Sequence, residues 1–542
     1  MRIILEEVGD LNRKGEILKS TSWALFYLLL TCFFMYHMRN FIIGSSRQVE
    51  YDFRKNIFEK LLSLPVEFYR KQQTGDLISR IINDMNDIRT MVGPGIMYIP
   101  NSLARMLFFV PVMYSISPNL MISIAILIFM LIVLILIVMP KLRPFYKNIQ
   151  ETRANINNDA WEMTSGITTI KTNSTEPQQL SSFEEKNDQY IKANLRLALV
   201  EQFTWPLFVL VFSMSVVIIL WVGGKEVIAG EITKEELLQF NIMLGVLTFP
   251  IFSLGWVMSL LQQGISALER LSRILSEPSV RHKAKKKLKQ QPHTIKVNNL
   301  TIYDDEKHEV LKRINLTISP GKIIGITGKT GSGKTLLLEC ILGLVKIHKG
   351  LITIDDIDVS QIDPESLFSE IAFVPQESFL FSDLLKNNIG LEEAGNIDLR
   401  RVVYSAEVSD LDKDIQNFNK KYDEEVGERG ITLSGGQKQR TTLSRAVYKR
   451  SSSLLILDDS LSSVDSETEK NITKNLKKID SKKSVIIVSH KISLLKIADR
   501  IHYLNNGKIA ESGTHKQLLA KKGLYAAAAK LQELEQSIAQ VK

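Results

Sequence analysis

From Leu120 to Met139 the chain is apolar almost without interruption, Ser123 being the one hydroxyl in the run. A stretch of about 20 apolar residues is what an α-helix needs to cross the hydrocarbon core of a bilayer. A water-soluble helix keeps a polar face, and this segment has none. Similar runs lie near Ser22–Ile43, Ile96–Ile116, Thr204–Gly223 and Leu237–Leu261, so the sequence predicts five spans. All of them fall before residue 262, and the remainder carries charges throughout, as an ordinary α/β domain does. At 542 residues the chain is too long for one compact core, and this shift in composition marks the domain boundary.

Lys and Arg collect on the cytoplasmic side of membrane proteins. Segments 46–97 and 140–202 hold eight each, Ser117–Asn119 holds none, and 224–234 holds only Lys225 and Lys234. The two long basic connections are therefore expected in the cytoplasm, with the N-terminus outside and the C-terminal domain inside. Both are polar on one face and nearly free of helix breakers, which reads as membrane helices continuing into the cytosol. No apolar h-region follows Met1 closely, so no signal peptide is expected. The net charge of +9 is placed beside apolar runs and in a dense group of Arg281, Lys283, Lys285, Lys286, Lys287 and Lys289. Anionic lipid head groups are one natural counterion for that group, and a solvated linker without a partner is the other reading. Two cysteines, Cys32 and Cys340, form neither a disulfide framework nor a thiolate metal site. Arg105 interrupts an apolar run in which no acidic residue stands. Either it faces a cavity and an anionic part of a substrate, or it snorkels to the inner interface.

Beyond residue 293 short β-branched strands alternate with turns and helices. Lys322–Thr327 reads as a buried strand running directly into Gly328, Lys329, Thr330, Gly331, Ser332, Gly333, Lys334 and Thr335, then an apolar helix. This is the G-x-x-x-x-G-K-[ST] phosphate loop in its strand–loop–helix setting. Its glycines let backbone N–H groups close around phosphate oxygens, Lys334 reaches the outer phosphates and Thr335 coordinates Mg²⁺. A second buried strand, Ser453–Leu457, ends in Asp458, placed to hold the metal from the other side.

Leu433, Ser434, Gly435, Gly436 and Gln437 stand shortly before that second strand, and with them the chain resembles the ATP-binding cassette (ABC) superfamily. The resemblance implies that this signature binds the γ-phosphate of ATP held by an opposite cassette, so that two cassettes sandwich two nucleotides. It also implies roles for Gln376 (in Phe373-Val374-Pro375-Gln376) near Mg²⁺ and the membrane half, for Asp465 in the D-loop, for His490 as the switch histidine and for Tyr303 as the aromatic stacking on adenine. Gly75-Asp76-Leu77-Ile78-Ser79-Arg80 and Asn83-Asp84 resemble the first cytoplasmic connection of exporter-type members. The expected architecture is an all-α transmembrane bundle fused to an α/β P-loop ABC nucleotide-binding domain. Its boundaries are 1–277 for the transmembrane domain with its helical extensions, 278–292 for the basic linker, 293–531 for the cassette and 532–542 for a helical tail.

Two departures from the family pattern sharpen the expectation. The residue after Asp458 is Asp459, where the family carries a Glu that polarises the attacking water. Aspartate is one methylene shorter, and a misplacement of order 1 Å costs about 10²-fold in rate, so ATP should bind here and hydrolyse slowly. The run Leu457–Asp465, with Gly93-Pro94-Gly95-Ile96-Met97-Tyr98, resembles the degenerate-site subunit of bacterial heterodimeric multidrug-type exporters. That implies a non-identical second subunit with an intact Glu, an inner-membrane location, and amphipathic drug, lipid or peptide substrates. The second departure is that five spans are visible where the family has six, the first being the one not seen. A nucleotide-binding regulatory or channel-like subunit is the alternative reading, supported by Asp459. A soluble cassette acting on nucleic acid is opposed by the spans.

Overall fold

A computed structural model describes residues 14–541, apart from 73, 203, 280–285, 290, 305, 392–395 and 479–482. The chain divides into two compact units, one of residues 1–58 with 75–276, the other of 59–74 with 277–542. The break after Ser276 lies one residue from the expected boundary. Residues 59–74, expected to belong wholly to the membrane half, group with the cassette instead.

Among its described residues the first unit consists of helices and the short turns between them. Its helices are α1 (Lys14–Ser63, whose last turn belongs to the second unit), α3 (Thr74–Ile116), α4 (Pro118–Ser165), α5 (Ile167–Thr172), α6 (Glu176–Glu201), α7 (Thr204–Ile218), α8 (Gly224–Ala229) and α9 (Lys234–Ser276). The short α2 (Val66–Lys71) lies in the second unit. At 50 residues α1 is about 75 Å long, well over twice what a hydrocarbon core needs. The excess is the polar extension expected from the sequence. Three described helices are long and apolar enough to cross a membrane, Leu18–Ser63, Thr74–Ile116 and Val209–Ala229, and Pro118–Met130 is a shorter apolar segment. On α1, Trp23, Phe26, Phe33, Phe34 and Phe41 are all exposed. Such a surface is stable against lipid or protein and not against water.

Local chemistry sets the turns and contacts of this unit. Ser117 separates α3 from α4, its hydroxyl accepting from the Leu120 N–H at 3.1 Å, with Pro118 at the first helical position where no N–H is needed. π turns at Arg80–Asp84 and Met91–Gly95 interrupt α3, the second containing Pro94. Asp84, buried, receives two hydrogen bonds from Arg270 of α9 at 2.7 and 3.0 Å. Further along the same helix pair the buried hydroxyls of Ser102 and Ser253 lie 3.0 Å apart. Arg105 meets Asn101 of its own helix at 3.1 Å.

The second unit is built on two sheets. One is antiparallel, ordered β2-β1-β4-β5, from β1 (Ile295–Tyr303), β2 (Glu309–Ile318), β4 (Ile352–Ile354) and β5 (Ile357–Asp358). The other is ordered β10-β9-β3-β8-β7-β6, from β3 (Ile323–Gly328), β6 (Ile371–Val374), β7 (Leu454–Asp458), β8 (Ser484–Val488), β9 (Arg500–Asn505) and β10 (Lys508–Gly513). Neighbours in the second sheet are parallel except β10 against β9. Its central strands are buried on both faces, β7 and β8 at every position, which explains the unbroken apolar runs in the sequence. One core layer lies between the two sheets around Leu300, Ile326, Leu338 and Ile456. A second, around Leu443, Ile487, Leu495 and Tyr525, backs the parallel sheet. The end of the basic linker adds to this unit, Lys286 exchanging backbone hydrogen bonds with Gln361 and Asp363. Arg281, Lys283 and Lys285 lie outside the described residues. The terminal helix Leu524–Val541 runs through residue 532 without a break.

Candidate functional site

Strand direction decides where the chemistry collects. Val488 at the end of β8 stands opposite Ile326 of β3 on one side and Asp458 of β7 on the other. In open α/β sheets, ligands bind beyond the C-terminal ends of parallel strands. Residues 330–336 after β3, Asp458 at the end of β7 with Asp459 after it, His490 after β8 and Gln376 after β6 accordingly line one cavity of about 270 Å³.

Gly328 ends β3 at φ 149°, and a β-carbon there would stand 2.0 Å from the Leu504 carbonyl oxygen, so no other residue fits. Gly333 then starts helix α10 (Lys334–Ile341). Lys334 is buried and its Nζ donates to the carbonyls of Gly328 and Lys329 at 3.1 and 3.0 Å. Burial lowers its pKa from the ordinary value, against the pull of Asp459 and Asp458. Ser332 Oγ is buried without a hydrogen-bond partner among the described residues. An unmatched hydroxyl costs about 1–3 kcal/mol, and an anionic oxygen in this loop would satisfy it. A phosphate chain fits the residues present.

The Thr335 hydroxyl hydrogen-bonds the Asp458 carboxylate. Burial holds that carboxyl above its ordinary range, Asp459 adds to the shift, and Thr335 and Lys334 oppose it. Two hard oxygen donors beside a phosphate loop are a suitable donor set for a divalent cation such as Mg²⁺, which would gain the phosphate oxygens as further ligands. Asp459 has a left-handed backbone, φ 42°, its N–H donating to Val488 O at 2.8 Å. Asp is among the few non-glycine residues found often in that region. His490 is pushed below its ordinary pKa, by burial first and by Lys334 second, so the ring is mainly neutral at pH 7.

The remaining cassette residues singled out from the sequence lie away from this cavity. Ser434 caps α12 (Gly435–Tyr448) in a reciprocal arrangement, accepting from the Gln437 N–H at 3.3 Å while its own N–H donates to Gln437 Oε1 at 3.0 Å. Gln437 Nε2 donates to Asp414 at 3.1 Å, so this side chain holds the motif together from inside. Leu433 is buried beneath it, whereas Ser434 and Gly435 are exposed at a helix start rich in free N–H groups. None of the five lines the phosphate-loop cavity. Asp465 caps α13 (Ser466–Leu476), accepting from the Glu467 and Thr468 amides at 3.1 and 2.9 Å. Tyr303, 58% exposed, ends β1 outside the cavity lining. Arg105 lies in the other unit.

Two contacts have no counterpart in the sequence reading. Arg70, in α2, forms an ion pair with Glu339 of the phosphate-loop helix, one turn beyond Thr335. Gln439 of α12 bonds the segment after Asp459. The partners are separated in the chain, so only the fold reveals these contacts.

Comparison with known proteins agrees with this geometry. Residues 1–251 match the family model for the ABC transporter transmembrane region, and residues 311–462 match that for the ABC transporter proper. The multidrug resistance-like ATP-binding protein MdlA of Buchnera aphidicola (subsp. Baizongia pistaciae) is 33% identical over 94% of this chain and 88% of its own length. Its namesake in Escherichia coli K12 is 30% identical over 97% and 89%. The ATP-bound structure of a bacterial Atm1-family ABC exporter superposes with a TM-score of 0.83, at 21% identity, over 96% of this chain and 92% of that one, and so shares its fold. With its membrane region, phosphate loop and signature joined on one polypeptide, the chain belongs to the ABC transporter family.

Proposed function

We infer that this chain is an ATP-driven exporter subunit and, within that class, the weakly hydrolysing member of an unequal pair. The observation that carries the second part is Asp459. It stands where hydrolysis needs a carboxylate beside the phosphate loop, on a side chain one methylene short of Glu, with its backbone in the left-handed region. Lys334 and the amides of residues 330–333 would hold the phosphates, and Thr335, Asp458 and Gln376 would hold Mg²⁺. Bound Mg²⁺ would neutralise charge on the outer phosphates during transfer to water. Neutral His490 would donate to, or accept from, a group at the γ-phosphate. Tyr303 is proposed to stack on adenine, and Asp465 to face the opposite cassette.

The exposed signature supports pairing, because it lies away from its own phosphate loop and is fit to bind another cassette's nucleotide. A partner with Glu at the position of Asp459 would then form its competent site with this chain's Ser434, Gly435 and Gly436. On this reading the five apolar segments cross a bacterial inner membrane, the cassette is cytoplasmic, and the cargo is an amphipathic drug, lipid or peptide. The multidrug resistance-like names of the relatives support that cargo class, and Arg105 is a candidate contact for its anionic part.

Co-purification of the native complex tests the pairing. Recovery of a second, different cassette subunit is expected, with little ATPase in this chain alone. Full turnover by the isolated chain would remove the unequal pair. Vesicle uptake separates a pump from a channel, since only a pump accumulates cargo against its gradient.

A further inference from the structure

The terminal helix Leu524–Val541 lays one face on the core of the cassette. Tyr525 is fully buried there, and Ala528 and Ala529 pack against the same layer around Ile492 and Leu495. Positions 525, 528 and 529 are spaced as one helical face, and the next position on that face is 532. It carries Gln532, an amide where the stripe would otherwise continue apolar.

The reason lies in what this position meets. Strand β8 ends at Val488 and the chain turns at once, the Ser489 N–H donating to Ile326 O at 3.1 Å while Ser489 Oγ accepts from the Lys491 N–H at 2.9 Å. Ile492 then opens a single helical turn, Ile492–Leu495, that has no side-chain cap. The first N–H groups of a helix have no partner inside it, and the Ile492 N–H is one of these. Gln532 takes it, Oε1 accepting at 2.9 Å, and Nε2 of the same amide donates to the His490 carbonyl. A carbonyl only accepts and a backbone N–H only donates, so these partners fix which way round the amide lies. They flank residue 491, and one planar amide bound to both holds the peptide group that follows His490 in a single orientation.

We propose that Gln532 is a positioning residue for His490, which makes the terminal helix part of the hydrolytic machinery of this cassette. The proposal rests on the reading that His490 acts at the γ-phosphate. His490 lines the phosphate-loop cavity and Gln532 does not, so the amide acts on the chemistry through the backbone of the histidine. A ring carried on a turn reaches the phosphate only while the turn keeps its course, and a displacement of order 1 Å costs about 10²-fold in rate. The phosphate loop itself is carried by β3 and α10. Loss of the amide should therefore spare nucleotide binding and slow the transfer step.

The test uses the complete transporter in lipid nanodiscs, with the partner's catalytic carboxylate removed so that turnover reports this chain's site. A transporter built of this chain alone needs no such change, so the test stands even if the pairing fails. Gln532→Met keeps length and removes both hydrogen bonds. Gln532→Glu keeps an acceptor for Ile492 but, when ionised, cannot donate to His490. Both are expected to lower kcat about tenfold with KM within about twofold. In a His490→Ala background the same substitutions are expected to change kcat by less than about twofold, because no ring is left to position. Amide hydrogen exchange across residues 490–492, read without nucleotide, is expected to rise about tenfold in Gln532→Met. Unchanged exchange in Gln532→Met, or wild-type kcat in both variants, would overturn the proposal. So would equal losses with and without the His490 ring, or a KM change matching the loss in kcat. An insensitive His490→Ala transporter would refute the γ-phosphate reading and the proposal with it, whereas a sensitive His490 beside silent Gln532 variants would refute the proposal alone.

Discussion

The phosphate-loop face and the signature face of the cassette are built in different ways. The phosphate-loop face is made of strand ends, and the glycine-only backbone at Gly328 and the burial of Lys334 and Asp458 follow from the parallel sheet. The signature face is a helix start held from behind by side chains, Gln437 with Asp414, and Gln439 with residues 462 and 463. The ends of buried central strands are held on both sides and keep their chemistry together. A helix braced by side-chain amides can be moved or loosened by one substitution. On the proposed function, this difference would suit a protein whose own phosphate loop needs only to bind, while its signature has to close on another subunit.

Perturbing each face should separate them. The largest effect is expected from Gly435→Asp, which sets a carboxylate at the exposed helix start. Turnover of the paired complex should fall about 10²–10³-fold, as for loss of a transition-state anion site, with ATP affinity of this chain's own loop unchanged. Equal loss of that affinity would show that the two faces are not independent. Asp459→Glu is expected to raise hydrolysis at this chain's site by up to about 10²-fold, assayed with the partner's catalytic carboxylate removed. No gain would place the limit in the left-handed backbone at residue 459. Lys334→Ala should weaken ATP binding at this chain's loop by about 10–100-fold in equilibrium titration and leave the signature face intact.

The smallest effect concerns stability. His502 on β9 is buried with neither ring nitrogen bonded among the described residues, and burial lowers its pKa to about 4. Between the ordinary value near 6.5 and about 4 the unfolded chain binds more protons than the folded one. This group's contribution to stability is therefore complete above pH 6.5 and shrinks as pH falls towards 4. Calorimetry of the full chain should show the cassette transition falling in temperature from pH 7.5 to 5, and His502→Leu should flatten that slope. An unchanged slope would mean that other groups dominate.

What could be read from the sequence was what is written locally. The phosphate loop and the strand before Asp458 are contiguous runs whose chemistry survives without knowing the fold, and the helical extensions followed from uninterrupted polar stretches beyond the apolar ones. Contacts between distant segments left no such trace. Asp84 was noticed as part of a motif, but its partner Arg270 lies 186 positions away and carries no pattern. Gln439 looks like any polar residue on a helix, and burial alone distinguishes it. Asp459 is a mixed case, since its identity was plain in the sequence and its left-handed backbone was not.

The grouping of residues 59–74 with the cassette bears on how this protein can be cut apart. Leu62, Leu64 and Val66 share a cavity of about 530 Å³ with Leu342, Leu367 and Phe368, and Arg70 reaches Glu339 beside the phosphate loop. A soluble fragment beginning at Glu277 would lose that segment, bare an apolar wall to water and free the helix behind Lys334. Its biochemistry would describe a different molecule, and a fragment intended to mimic the cassette would need the 59–74 peptide added back.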